Sequence, residues 1–447
     1  MSSSQRSAAV KIVARLQEAG YVAYFAGGCV RDALRGIEPH DFDVATSARP
    51  EEVQQLFPHN VAVGAHFGVI IVLESGFSFE VATFRSDDAY VDGRRPVSVR
   101  FTSPREDAER RDFTVNAMFF DPVAEELIDF VNGREDLSRK ILRAVGEPAQ
   151  RFAEDKLRLL RAVRFATVLR FEIEEKTWSA IVAQAPQIHA VSTERIREEL
   201  LRLFRSPNRV RGLDLLDASG LLTEVLPEVA ALKGCEQPPQ FHPEGDVFVH
   251  TRIMLGLLAP EVPDSVFLSV LFHDIGKPPT FSVDPDGRIR FSGHDAVGAK
   301  MTREVMQRLR FPNEEIDRVV AAVANHMVFK DVTKMRVSRL KRFMARPDFD
   351  REIELHRVDC ESSHGDLSNV DFLRQKAEEF ANEPLIPPPL LTGHDVIALG
   401  LKPGPIFKEI LDAVETAQLE KQVTTRDEAL EMLKEIVSEK NLPSFGT

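Results

Sequence analysis

The stretch Tyr24-Phe-Ala-Gly27-Gly28-Cys-Val-Arg31-Asp32-Ala-Leu-Arg35-Gly36, followed closely by Asp41-Phe42-Asp43-Val44, constrains the fold more tightly than any other part of the chain. An aromatic run reads as a strand, a Gly-Gly turn follows, then a short basic helix and a second strand that carries two acids. Glycine lets the backbone approach a ligand closely, and unpaired amides at a helix start suit phosphate. Arg31 and Arg35, four apart, share a helix face, and alternation along the second strand sends Asp41 and Asp43 to one side. Two carboxylates beside such a turn suit Mg²⁺ carrying a triphosphate. Glu80, in Phe79-Glu80-Val81, lies on a later strand able to pair beside the first two, so that three converging acids would hold two Mg²⁺ ions. Taken alone, Asp-x-Asp on a strand reads better as a solvent-facing pair; the glycine turn and Arg31 before it shift the balance to the metal.

At 447 residues the chain exceeds one ordinary core, so several domains are expected. No apolar run approaches membrane-spanning length, and the start Met1-Ser-Ser-Ser-Gln-Arg lacks the apolar core of a signal peptide. The three cysteines, Cys29, Cys235 and Cys360, are too scattered for a disulfide framework or thiolate cluster. These features predict a cytoplasmic protein without a membrane partner. The net charge of −13 disfavours nucleic acid only globally, because basic residues are grouped between Arg139 and Arg211. That group is either an RNA-facing surface or a solvated helical one.

An opening helix to Glu18 is followed by strands at Val22 to Ala26 and Asp41 to Val44, and by a helix starting at Arg49-Pro50-Glu51-Glu52. Further strands are predicted at Val61 to Val63, Val69 to Leu73 and Phe77 to Thr83, then a polar mobile loop from Ser86 to Arg105. Beyond Pro148 the pattern is helical almost to the end, broken by proline-rich segments near 237–243 and 383–389.

In Arg110-Arg111-Asp112 the guanidinium forks suit a triphosphate, and the carboxylate can orient them or accept from a ribose hydroxyl; an internal salt bridge is the alternative. Asp155 and Arg158, three apart, are expected side by side on one amphipathic helix. Adenine and cytosine both present an amine donor beside a ring-nitrogen acceptor, which a carboxylate and a guanidinium would match; an ordinary helix ion pair is the alternative. Ser192 or Thr193 can cap the next helix, with Ile196, Leu200 and Phe204 on its buried face and Arg195, Arg202, Arg205 and Arg209 on a basic face able to track RNA phosphates.

These motifs, with Asn116 in Arg111-Asp112-Phe-Thr-Val-Asn116 and with Arg161 and Arg164 after Glu154-Asp155-Lys-Leu-Arg158, resemble the class II RNA nucleotidyltransferases. That family comprises tRNA CCA-adding enzymes and bacterial poly(A) polymerases, within the polymerase-β-like superfamily; the resemblance covers roughly residues 20–240. It implies an α+β chain with a mixed-sheet head and an all-α remainder. It also implies metal binding by Asp41 and Asp43, with Glu80 as the third acid. Nucleotide contacts would come from Gly27, Gly28, Arg31, Arg111, Asp112, Asn116, Arg161 and Arg164, and base selection from Asp155 and Arg158. The implied partners are tRNA, CTP and ATP; addition from ATP only is the alternative.

Seven of the twelve histidines fall between His242 and His364. The order His250, His273-Asp274, His294, His326 and Asp359 resembles the HD superfamily of metal-dependent phosphohydrolases, over roughly 246–365. Imidazole and carboxylate without thiolate suit a divalent transition metal or Mg²⁺, with Asp274 able to bridge two ions. Lys277 is a candidate phosphate contact. The block is then either a second catalytic centre or an RNA-holding body that keeps the shape alone, and a phosphohydrolase with an RNA-binding head is the alternative from another class. The segment 391–405 resembles the family's tail and suits either RNA backbone contact or helix packing. The expected domains are a head at 1–147, a neck at 148–240, an HD-like body at 246–365 and a helical tail at 366–447.

Overall fold

The computed structural model describes residues 2–62, 68–87, 99–240 and 242–439. Two compact units emerge, the first spanning residues 1–231 with 259–262 and 305–311, the second holding the remainder.

The first unit opens with helix α1 (Ser2–Glu18), strand β1 (Ala23–Ala26), helix α2 (Gly28–Leu34) and strand β2 (Asp43–Thr46). The acid-bearing strand thus starts at Asp43, two residues later than expected, and Asp41 sits just ahead of it. Exposed Asp41 and Asp43 flank buried Phe42, so both still face one side. Helix α3 (Pro50–Leu56) has proline in its first turn, and Glu52 accepts from the Arg49 amide at 2.7 Å. Strands β3 (Asn60–Val61), β4 (Val69–Glu74) and β5 (Phe77–Thr83) follow; of the strand expected at 61–63, residue 63 lies outside the described residues.

Residues 88–98 of the predicted loop also lie outside them. Its described ends are ordered: β6 (Arg85–Asp87) pairs with β7 (Val99–Phe101), and α4 (Pro104–Glu109) starts where Ser103 caps it. Strands β8 (Phe119–Asp121) and β9 (Glu126–Ile128) complete a seven-stranded sheet of order β3-β4-β5-β2-β1-β8-β9. Its β2–β5 pair is parallel, with Val44 opposite Val81. Those two valines are buried, each contributing about 1.5–3 kcal/mol. One residue earlier on both strands, Asp43 and Glu80 are exposed on the opposite face.

After α5 (Gly133–Arg139), the helical part begins with α6 (Pro148–Glu154), α7 (Leu157–Leu169), α8 (Glu175–Gln184), α9 (Thr193–Phe204) and α10 (Arg209–Ala218). Ile196, Leu200 and Phe204 are buried as their spacing predicts, and Ser192 takes the N-cap position without a side-chain cap bond. Arg209 departs from the expected basic face. It is 1% exposed and donates to the carbonyls of Ser206, Ala259 and Pro260, so it fastens backbone rather than facing RNA.

Among its described residues the second unit is mainly helical, with an isolated bridge between Glu236 and Asp246 and a hairpin, Phe281–Val283 with Ile289–Phe291, that the helical periodicity did not predict. Its turn, Asp284-Pro-Asp-Gly287, closes with Gly287 at φ 80°, a conformation glycine adopts without strain. In the tail, Thr392 and Asp395 form a capping box, and Val396, Ile410, Val414 and Leu433 share a core. No helix among the described residues is long and apolar enough to cross a membrane.

Candidate functional site

Gly27 lies between β1 and α2 at φ 73°, ψ −128°, in the N-cap position of the helix. A Cβ there would lie 3.2 Å from Arg111 Nη1 and 3.9 Å from Asp43 Oδ2, so the glycine turn, the guanidinium and the acid share one small space. Gly28 is the first residue of α2, beside the Arg31 side chain. Although Asp43 is exposed as a residue, its carboxyl is partly shielded from water by its surroundings, and this shielding, together with the charges of Glu80 and Asp41, pushes it up to about 6, against the pull of Arg111. That crowding of negative charge is relieved by a divalent cation, and the donor set is all oxygen, as Mg²⁺ requires.

Nearly every basic side chain near this space has a carboxylate partner. Arg111 lays Nε and Nη2 on Asp107 Oδ2 at 3.1 and 3.0 Å and donates from Nη1 to the Asn116 carbonyl. Asp107 also binds Arg110, and both guanidiniums hold its buried carboxyl below the usual range despite burial. Sequence reasoning missed Asp107, although its place four residues before Arg111 on a helix was a usable signal. Arg31 grips Asp32 in a fork and donates from Nη1 to Asn116 Oδ1 at 2.6 Å. Asn116 donates to Asp112 Oδ1 at 3.4 Å, and Arg161 binds Asp112 Oδ2 through Nε and Nη2. Arg164, over the Phe165 ring, pairs with buried Glu199, which was also missed.

Asp155 and Arg158 do not share a helix. Asp155 lies at the break between α6 and α7, with φ −141° and ψ 106°, because its carboxylate binds the Leu157 amide and receives both Nη atoms of Arg195. Arg158 is held by Glu154 at 2.6 Å and by the carbonyls of Arg151 and Arg110. Each member of the expected pair is thus oriented by another residue rather than by its mate.

In the second unit, His250 comes from helix Val247–Leu257, His273 and Asp274 from the end of Asp264–Phe272, and His294 from the start of His294–Arg308. His326 caps Asn313–Asn325, and Asp359 lies in the last turn of Phe349–Ser362. Their ligand atoms form two trios, His250 with His273 and Asp274, and Asp274 with His294 and His326; within each all atoms lie within 4.8 Å. Asp359 Oδ1 is 3.1 Å from His250 Nε2.

The Nδ1 atoms of His273, His294 and His326 face the carbonyls of Val270, Phe291 and Val323. A carbonyl only accepts, so each Nδ1 carries the proton and each Nε2 presents its lone pair. The Nε2 atoms of His294 and His326 then confront one another at 3.1 Å, an arrangement a shared cation makes favourable. Burial lowers both imidazoles, His326 to about 4, which keeps them neutral as metal ligands must be. His273 Nε2 is buried and lies 3.1 Å from Asp274 Oδ2. Asp274 is held well below the usual range by His273 and Lys277, against its burial. These residues fit divalent metal, and a cavity of about 850 Å³ opens above them. Lys277 is buried against Asp274 and Gln237 rather than extended into solvent.

Three family descriptions match: Poly A polymerase head domain at residues 23–143, Probable RNA and SrmB- binding site of polymerase A at 170–233, and HD domain at 247–359. The A-adding tRNA nucleotidyltransferase of Deinococcus radiodurans is 35% identical over 428 residues, 91% of this chain and 94% of that protein. The CCA-adding enzyme of Streptococcus mutans is 46% identical over 217 residues, 48% of this chain and 54% of that protein. The chain thus spans about half the length of the curated CCA-adding relatives that it matches at this level. The structure of the Bacillus stearothermophilus CCA-adding enzyme in complex with CTP superposes with a TM-score of 0.76 at 30% identity, covering 97% of this chain and 98% of that one. With relatives similar end to end and a head that places Asp43 and Arg111 at a glycine turn, the chain belongs to the poly(A) polymerase and tRNA nucleotidyltransferase family.

Proposed function

We propose that this chain is a template-independent nucleotidyltransferase that adds CMP and AMP to the 3′ end of tRNA in the cytoplasm, consuming CTP and ATP and releasing pyrophosphate. The observation that carries the proposal is the meeting of Asp43 Oδ2 and Arg111 Nη1 at the Gly27 turn, where the charges of Glu80 and Asp41 also bear on the Asp43 carboxyl. Asp41 and Asp43 would hold Mg²⁺, with Glu80 completing the acid set. Bound there, Mg²⁺ supplies charge neutralisation for the triphosphate and acidifies the attacking hydroxyl. Arg111 and the start of α2 orient the phosphates, and Arg31, Asn116 and Asp112 form the wall beside them. The RNA 3′ oxygen forms a bond to the α-phosphorus as the bond to pyrophosphate breaks. Asp155 and Arg158 read the amine and ring nitrogen of cytosine or adenine, with Arg195 and Glu154 fixing their directions, and Arg161 and Arg164 hold the neck wall against Asp112 and Glu199.

The test is labelled CTP or ATP with the full chain and tRNAs ending in the discriminator base, in C, or in CC. Incorporation of both nucleotides, stopping after CCA, is the expected result. Use of ATP only, on the tRNA ending in CC, supports the second reading, which the end-to-end similarity to the Deinococcus radiodurans A-adding protein favours.

The HD cluster, in this reading, holds divalent metal as a second centre, with His250, His273, Asp274, His294, His326 and Asp359 as ligands and phosphoester hydrolysis as its chemistry. Metal content of the purified chain and hydrolysis of p-nitrophenyl phosphate test it.

A further inference from the structure

The four cluster histidines do not hold their imidazoles in the same way. Three give the Nδ1 proton to a backbone carbonyl. His250, fully buried, instead places Nδ1 2.8 Å from Glu244 Oε1. Ser362 Oγ is more distant at 3.3 Å, and it already donates to the Asp359 carbonyl at 2.9 Å.

Glu244 is 5% exposed at the side chain, and its Oε1 also lies 2.9 Å from His242 Nδ1, while Oε2 has no hydrogen-bond partner. The short segment His242-Pro-Glu244-Gly-Asp246 precedes the helix that carries His250, and Asp246 caps that helix by accepting from the Val249 amide. The cap fixes where the helix starts, and with it where Glu244 and His250 meet.

We propose that Glu244 is a positioning residue for the HD metal site, holding the proton on His250 Nδ1 so that Nε2, 3.1 Å from Asp359 Oδ1, turns its lone pair to an ion shared with that carboxylate, and thereby helping to make the two cation positions unequal. The inference rests on the reading that the cluster holds divalent metal. A carboxylate acceptor fixes the tautomer and ring direction as a carbonyl does, but adds a full negative charge that makes the imidazole a stronger donor. The advantage falls on the position built from His250, His273 and Asp274. The position built from Asp274, His294 and His326 has only carbonyl-supported rings. Asp274 serves both and cannot create the difference, whereas Asp359, 3.1 Å from His250 Nε2, adds to it on the same side as Glu244.

The experiment is titration of the metal-stripped full chain with Mn²⁺ or Co²⁺, followed by calorimetry and, for Co²⁺, by visible absorption. Wild type is expected to bind two ions in resolved steps. Glu244→Ala should weaken the tighter step by about 10- to 100-fold and leave the weaker one in place, with a changed Co²⁺ spectrum. Glu244→Gln, which keeps the shape and one acceptor oxygen, should fall between, and Ser362→Ala should leave both steps near wild type. Equal weakening of both steps, or an unchanged tighter step in a folded Glu244→Gln variant, overturns the inference. Failure of wild type to bind any ion instead overturns the metal reading beneath it.

Discussion

Arg161 on α7 donates to Asp112 Oδ2 from Nε at 2.9 Å and from Nη2 at 2.5 Å, closing a relay that runs from Arg31 through Asn116 and Asp112 to the neck. Asp112 is 9% exposed, so its charge depends on this fork. The relay links α2, which begins at the glycine turn, to the helix that follows Asp155.

Removing one partner leaves the other charge unmatched. Arg161→Ala is expected to destabilise the protein by about 3–5 kcal/mol, because a buried carboxylate loses its counter-charge. The double variant Asp112→Asn with Arg161→Ala should cost less than the sum of the single changes. Urea denaturation of all four proteins checks it, and additivity of the two changes would refute the coupling.

Acid should release the same tie. The Arg161 guanidinium holds the Asp112 carboxyl below the usual carboxylate range, overcoming the opposing effect of burial. A depressed folded value means that the unfolded chain binds the proton first. The contribution is therefore fully present above the unfolded value of about 3.9 and is lost as pH falls through the folded one. Melting temperatures from pH 6 down to 3 should drop more steeply for wild type than for Asp112→Asn, and parallel curves would contradict this.

Base choice should depend on Asp155 more than on catalysis as such. Asp155→Ala is expected to lower the preference for ATP over GTP and for CTP over UTP by about 1–3 kcal/mol, roughly 5- to 150-fold in the kcat/KM ratio. Arg195→Ala, which frees the carboxylate that Arg195 now orients, should move the ratio in the same direction by less. Equal losses for all four nucleotides would mean that Asp155 supports the fold and reads nothing.

The two centres should fail independently. Asp41→Ala is expected to reduce nucleotide incorporation by at least ~10³-fold, about 4 kcal/mol of transition-state stabilisation, with p-nitrophenyl phosphate hydrolysis unchanged. Asp274→Ala should abolish that hydrolysis and leave incorporation intact. Loss of both activities in either variant would show one shared centre.

The local chemistry of this chain is written in its sequence. The glycine turn, the acid pair around Phe42 and the apolar spacing of Ile196, Leu200 and Phe204 depend on neighbours within a few residues, where backbone geometry leaves little choice. The clustering of His250, His273-Asp274, His294 and His326 could be anticipated from motif order. Tertiary structure decided the pairings. Arg209 looks like one more surface cation until Ala259 and Pro260 offer it carbonyls from fifty residues away. Asp155 and Arg158 look like a helix pair until Arg195, forty residues on, draws the carboxylate into a break between two helices. An ion pair is chosen by which opposite charge is near and shielded from water, and that distance is set by the folded chain, not by spacing along it.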